Sequence, residues 1–269
     1  MRLKLIILCA AVIAALGGCH IRPAPIIELS GERVLGSEKR ALTAALQQRA
    51  SEMHSFRTLA SVELRHGQES ERFREVFVFE RPAKLRVEIL PLQAFYALAL
   101  ITARGGEVTI LDMQERQAHR SPFTPAAIRR AIGVPATYDE IFGYLTARLP
   151  LEIFVDEATF EEQAEVRRAG ANYVVSVLNG SLVAEIDPQN HLVRKLQLRD
   201  RFNEQLSLTA EYGALREVDG VPMYGDISLS LFDPQVDILL KLNAIAINRE
   251  ISDQLFEAEI PADFPVSNR

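Results

Sequence analysis

From Phe56 to Arg120 the sequence alternates apolar and polar residues with a period of two, and this constrains the fold more than any other feature. Ala60, Val62 and Leu64 alternate within Phe56 to His66, and Gly67 marks the turn that follows. Phe73, Phe77 and Phe79 share one face of the next stretch, opposite Arg72, Arg74 and Glu80. Arg81-Pro82 ends that stretch, because proline cannot continue a ladder. Leu85, Val87 and Ile89 then alternate with Lys84, Arg86 and Glu88. Leu98 to Ala103, Glu107 to Asp112 and Gln117 to Arg120 follow, the first two joined by Gly105-Gly106. Short strands with tight turns predict an antiparallel meander.

Helical spacing appears in three places. Ser37 to His54 carries Leu42, Leu46, Ala50 and Met53 on one stripe, with Ser37 as the expected N-cap. Thr124 to Ile132 has Pro125 in its first turn, and Thr137 to Ala147 gains an apolar side from Ile141, Phe142 and Leu145. After Pro150 the strand period returns. Tyr173 to Val177 and Leu182 to Ile186 flank the hairpin turn Asn179-Gly180. His191 to Arg199, Gln205 to Tyr212, Met223 to Phe232, Val236 to Ile247 and a short Phe256 to Ile260 complete the expected strands. No tandem repeat is visible, and no Pro/Gly/Ser linker separates two halves. One sheet of this size curls, and so few helices must cover its apolar side. The expectation is an α+β fold: a single curved antiparallel sheet, a half-barrel of about 11 strands, with a lid of about three helices over an apolar concave face.

The first residues are of another kind. Arg2 and Lys4 precede the apolar run Leu5 to Leu16, which is too short to span a hydrocarbon core that needs about 20 residues. This is the layout of a secretory signal peptide. Leu16-Gly17-Gly18-Cys19 resembles the lipobox of bacterial lipoproteins, in which the cysteine thiol is acylated and becomes the new N-terminus. Residues 1–18 are therefore expected to leave as a lipoprotein signal peptide. Residues 19–35, with Pro23, Pro25 and Gly31, are expected to form a lipid-anchored tether, and 36–269 the folded domain.

Composition agrees with export. The chain has two cysteines, Cys9 and Cys19, and Cys9 leaves with the signal, so no internal disulfide can form and Cys19 is free for lipid. Removing 1–18 takes away two basic residues and no acidic one, moving the net charge from −6 to −8. Such a balance argues against nucleic acid and against attachment to anionic lipid through a basic patch. A hydrophobic fraction of 48% suffices for a sizeable core.

Four segments carry a resemblance. They are RPAKLRVEI (Arg81 to Ile89), PLQAFYALAL (Pro91 to Leu100), IGVPATYDEIFGYLTARLP (Ile132 to Pro150) and LFEAEIPADF (Leu255 to Phe264). In this order, behind a lipobox, they resemble the LolA/LolB superfamily of bacterial lipoprotein-localisation factors, nearest to its lipid-anchored outer-membrane receptor. The first segment is similar to the turn and strand early in that sheet. The second is similar to its protruding Pro-Leu loop, with Gln93 where glycine is usual, and the third to its lid helix, where Tyr144 stands near the place of a usual tryptophan. The resemblance implies that acyl chains of lipoproteins or other lipids are held in an apolar cavity between sheet and lid. Phe73, Phe77, Phe79, Leu85, Val87, Ile141 and Leu145 would line it. Leu92, Phe95 and Tyr96 would form a loop touching membrane or cargo, and a periplasmic carrier protein would be a further partner. His20 after the cysteine, in place of an aspartate retention signal, favours the periplasmic side of the outer membrane.

Against this stand plainer readings. A phenylalanine stripe is ordinary core in most proteins, and Leu92, Phe95 and Tyr96 could belong to an early strand start. A second functional reading is a non-catalytic structural or docking lipoprotein of an envelope complex with the same fold. Catalysis finds little support. None of His20, His54, His66, His119 and His191 lies four residues from another, so no helical zinc pair exists, and no cofactor or metal is expected. No G-x-S-x-G elbow or Gly-rich phosphate loop is present. Asp112, Asp139 and Asp156 could meet in a cleft, but solvated carboxylates are the simpler reading.

Overall fold

The computed structural model describes residues 26–93, 96–132, 137–150, 160, 162–200, 205–232 and 235–268. The signal segment, Cys19, Phe95 and Asp156 lie outside these residues. Fifteen strands are described: β1 (Glu32–Arg33), β2 (Ser55–His66), β3 (Glu69–Glu80), β4 (Lys84–Leu90), β5 (Ala99–Arg104), β6 (Glu107–Asp112), β7 (Gln117–Pro122), β8 (Glu165–Ala169), β9 (Asn172–Val177), β10 (Leu182–Ile186), β11 (Val193–Arg199), β12 (Leu206–Val218), β13 (Val221–Phe232), β14 (Gln235–Ile247) and β15 (Val266–Asn268). Three α-helices are described from end to end: α1 (Gly36–Ser51), α2 (Pro125–Ile132) and α3 (Tyr138–Thr146). The strands form one sheet in the order β1-β8-β9-β10-β11-β12-β13-β14-β2-β3-β4-β5-β6-β7-β15, open at both ends. The described residues adopt the expected class, an α+β fold with one large, mainly antiparallel sheet accompanied by helices, though with more strands than anticipated. No helix among the described residues is long and apolar enough to cross a membrane.

The strands fall into two compact units. The first holds Met53–Ile141 with the segment from Leu240 onward, and the second holds the residues up to Glu52 with Phe142–Leu239.

In the first unit β2 to β7 form the anticipated meander, each strand antiparallel to the next. The sheet buries both faces here. Phe77 and Phe79 point one way and Val78 the other, and all three are buried. The second face is covered by the chain end. Phe256 is buried there, and Ala258 and Ile260 pack on Leu100, Leu111 and Ala118. Ion pairs fix this strap: Lys84 Nζ lies 2.6 Å from Asp253, and Arg104 pairs with Asp253 and Glu257. The expected strand Phe256 to Ile260 is corrected. Asp253–Phe256 is a 3₁₀ turn, the following segment makes no ladder, and the final strand is β15, parallel to β7. The apolar alternation of that segment serves packing on the sheet surface, not pairing at its edge.

In the second unit β8 to β13 are antiparallel in sequence order. β9 and β10 flank Leu178-Asn179-Gly180, whose φ values are 53°, 55° and 87°, the left-handed geometry that Asn-Gly accommodates. Leu42, Leu46 and Ala50 form the buried stripe of α1. Ser37 does not cap it. Gly36 takes a φ of 60° and turns the chain into the helix, so Ser37 lies inside and Leu35 precedes it without a side-chain cap. The stretch read as a tether ends in the fold: Glu32–Arg33 pair with β8, and the N–H of Val34 donates to Val166 at 2.9 Å. Tyr212 and Tyr224 stack at 5.8 Å beside Ala147 and Leu192.

Candidate functional site: an apolar face on strands β2 to β6

Strand register places the phenylalanines in rows that cross the first unit. Phe56, Phe79, Leu85, Ala103 and Val108 form one row. Thr58, Phe77, Val87, Ile101 and Ile110 form the next, and Ala60, Glu75, Ile89, Ala99 and Asp112 the third. Val62 and Phe73 begin a fourth. Phe73, Phe77, Phe79, Leu85 and Val87 therefore share one face, as period-two alternation requires. Their burial is graded. Phe79 is fully buried, Phe77 is 7% exposed, and Phe73 is only partly buried.

The first turn of α3 covers the deep end. Its start is fixed by a capping box, in which Thr137 Oγ1 accepts from the N–H of Glu140 at 3.2 Å and Glu140 accepts from the N–H of Thr137 at 2.6 Å. This sets Tyr138 in the first turn, where its ring meets Phe79 at 5.5 Å and Phe123 edge-on at 6.4 Å. Asp139, in the same turn, lies 4.0 Å from Arg81. Helix α2 starts similarly, with Thr124 Oγ1 accepting from the N–H of Ala127. At the other end of α3 the N–H of Arg148 donates to Gly143, where a Cβ would stand 3.0 Å from the Arg148 carbonyl oxygen, so this close turn suits glycine. Ile141 and Leu145 lie one turn apart on α3 and are both buried.

The loop between β4 and β5 has a closed base and an open tip. Leu98 donates to the Ile89 carbonyl at 2.7 Å, and Arg74 Nη2 donates to Pro91. Leu92 is 52% exposed and Tyr96 67% exposed. Neither belongs to a strand.

Glu75 was not singled out by the alternation argument, which named only its apolar neighbours. It lies in the third row of the same face, between Phe73 and Phe77. Strand parity alone would have found it, since 73, 75, 77 and 79 point the same way. Burial pushes its carboxyl up to about 8 from an ordinary 4.5.

Of the three aspartates read as able to meet in a cleft, Asp156 lies outside the described residues, and Asp112 and Asp139 have separate partners. Asp112 Oδ1 accepts from the N–H groups of Gln114 and Glu115 in its own turn, and Asp139 faces Arg81. Among the described residues no three His, Cys, Asp or Glu side chains converge as metal ligands. A cleft of about 340 Å³ in the second unit, lined by Gln48, Arg49, Glu52, Gln189 and His191, is polar and unlike the phenylalanine rows.

No protein-family model matches the sequence, and no curated protein matches it. Solved structures do. A DUF1329 family protein from Desulfovibrio piger aligns with a TM-score of 0.53 at 9% identity, over 82% of this chain and 96% of that one. A LolA superfamily protein from Nitrosomonas europaea aligns with a TM-score of 0.51 at 11% identity, over 82% and 97%. This is a LolA/LolB-like fold. An outer membrane lipoprotein-sorting protein domain from Vibrio parahaemolyticus shares it, with a TM-score of 0.50 at 9% identity over 81% and 97%. The likeness in fold spans nearly the whole of each neighbour.

Proposed function

We propose that this protein is a non-catalytic lipoprotein, anchored through acylated Cys19 on the periplasmic side of the outer membrane. It binds acyl chains of lipoproteins or other lipids on the phenylalanine rows of β3 and β4, and it assists their transfer to that membrane. The observation that carries the reading is the gradient along β3. Phe79 is sealed beneath Tyr138, while Phe73 and Glu75 on the same face are only partly buried. An apolar face that opens toward one end can take a chain end-on, which a uniformly sealed core cannot. The exposed Leu92 and Tyr96 add an apolar tip of the kind that touches membranes or cargo. The fold likeness to a lipoprotein-sorting domain supports the same reading.

Photocrosslinking in living cells tests it. A photoreactive amino acid at position 77 should give adducts with metabolically labelled acyl chains, and the same group at Arg57, on the opposite face, should not. Absence of acyl adducts at 77 would refute the reading. One observation favours the docking alternative: Phe79 and Tyr138 already fill the deep end of the face. Adducts with protein in place of lipid would support that alternative.

A further inference from the structure

The third row of the face holds a carboxyl where every other neighbour is apolar. Glu75 stands opposite Ala60 on β2 and Ile89 on β4, both buried, with Phe73 and Phe77 on either side along β3. Among the described residues nothing hydrogen-bonds or ion-pairs with its carboxyl. Partly buried carboxyls on apolar surfaces are costly unless satisfied, and native proteins satisfy them. The charged residues of β3 and β4 nearest to it, Arg74, Arg86 and Glu88, have the opposite strand parity and lie on the other face. Asp112 ends the same row, three strands away, and one of its oxygens is engaged by its own turn.

Position along the strand sets what the carboxyl could meet. Glu75 lies two residues from Phe77, about 7 Å toward the open end. A hydrocarbon chain lying with its tail toward Phe79 would emerge at this row. The first polar atom of any esterified or amide-linked acyl chain is its carbonyl oxygen, which accepts but cannot donate. We propose that Glu75 is the polar recognition point of the face, its carboxyl donating a hydrogen bond to the ester or amide carbonyl of a bound acyl chain. This rests on the acyl-binding reading and adds a ligand class to it: acyl esters and amides over bare hydrocarbons. A protonated carboxyl has one O–H to give, and burial keeps Glu75 largely in that form at neutral pH.

The test uses the full lipidated chain in phosphatidylethanolamine/phosphatidylglycerol nanodiscs. Two diazirine probes are offered: the methyl ester of a long-chain fatty acid, and an alkane of matching length without the carbonyl. Adducts on the protein are counted by mass spectrometry. Glu75→Gln, which keeps a neutral donor, should hold ester adducts within about twofold of the parent. Glu75→Leu should lower them about fivefold, the factor given by one hydrogen bond of ordinary net strength. Alkane adducts should stay level in both variants. Ester adducts unchanged by Glu75→Leu, or reduced equally in both variants, would overturn the assignment while leaving acyl binding in place. Parallel loss of ester and alkane adducts in Glu75→Leu would make Glu75 a structural residue and overturn it as well. A parent protein that takes neither probe would overturn the acyl-binding reading together with this one.

Discussion

The Arg86 guanidinium donates from Nη1 to the carbonyl oxygen of Leu255 at 2.9 Å, joining residues 169 positions apart. Its Nε meets Glu88 at 2.6 Å on the same strand. The contact holds the C-terminal strap against the sheet face opposite the phenylalanines. Arg86→Met should cost about 1–2 kcal/mol, because it leaves a carbonyl and a partly buried carboxylate with fewer partners. Thermal melting should show the loss, and hydrogen exchange should quicken in 253–260 before it quickens in β4.

Phe79 and Phe77 should separate stability from binding. Phe79→Ala removes a fully buried ring beneath Tyr138 and should cost about 3–5 kcal/mol. Phe77→Leu keeps the position apolar and should cost about 1 kcal/mol, with a clear fall in acyl-probe adducts. Denaturant melts paired with crosslinking yields check both. Unchanged adducts in Phe77→Leu would return Phe77 to ordinary core.

The pH dependence follows from Glu75. Its folded value is raised to about 8 from an ordinary 4.5, so between these limits the folded chain holds a proton that the unfolded chain has released. Stability from this group is full at low pH and falls as pH rises through that window, by at most about 1.4 kcal/mol per unit. Glu75→Gln should remove this slope. Melting temperatures at pH 5.5, 7 and 8.5 for parent and variant should converge at the acidic end and diverge at the basic end.

Leu92→Glu should leave melting nearly intact, within about 0.5 kcal/mol, since the side chain is largely exposed. Delivery of acylated cargo to liposomes should fail, because a carboxylate resists entry into hydrocarbon. Intact melting with normal delivery would mean an idle loop and would favour the docking alternative.

Cys19→Ser should give an unlipidated protein that a high-salt wash releases from membranes. Several acyl chains, at about 0.8 kcal/mol per buried CH₂, hold a protein where one chain barely does. Retention after the wash would show that something besides lipid anchors the chain.

Strands with long alternation were legible in the sequence because each buries one face. The Leu85, Val87, Ile89 strand and the Glu107 to Asp112 strand are found where expected. β1, β8 and β15 were missed for a common reason. They are short and polar, Val166 is the one buried residue of β8, and β1 and β15 are held by pairing more than by packing. Of the face, the apolar members were legible from spacing. Glu75 was not, because a glutamate in a strand reads as solvent-facing until its parity with Phe73 and Phe77 is counted. The strap on the opposite face was illegible for a different reason: Arg86, Lys84 and Arg104 read as ordinary surface charges, and their partners at 253–257 lie some 150 positions or more away.

The two ends of the sheet have a consequence for life in a crowded compartment. A free strand edge is a template on which another chain can add itself, and long edges invite fibrous association. Here the outermost strands are two and three residues long, Glu32–Arg33 at one margin and Val266–Asn268 at the other. Each occupies part of the hydrogen-bonding room beside a longer neighbour, two residues of β8 and three of β7, while offering little of its own. On the acyl-binding reading, which asks the chain to keep apolar surface within reach of lipid, such short margins limit the recruiting of further copies through the backbone.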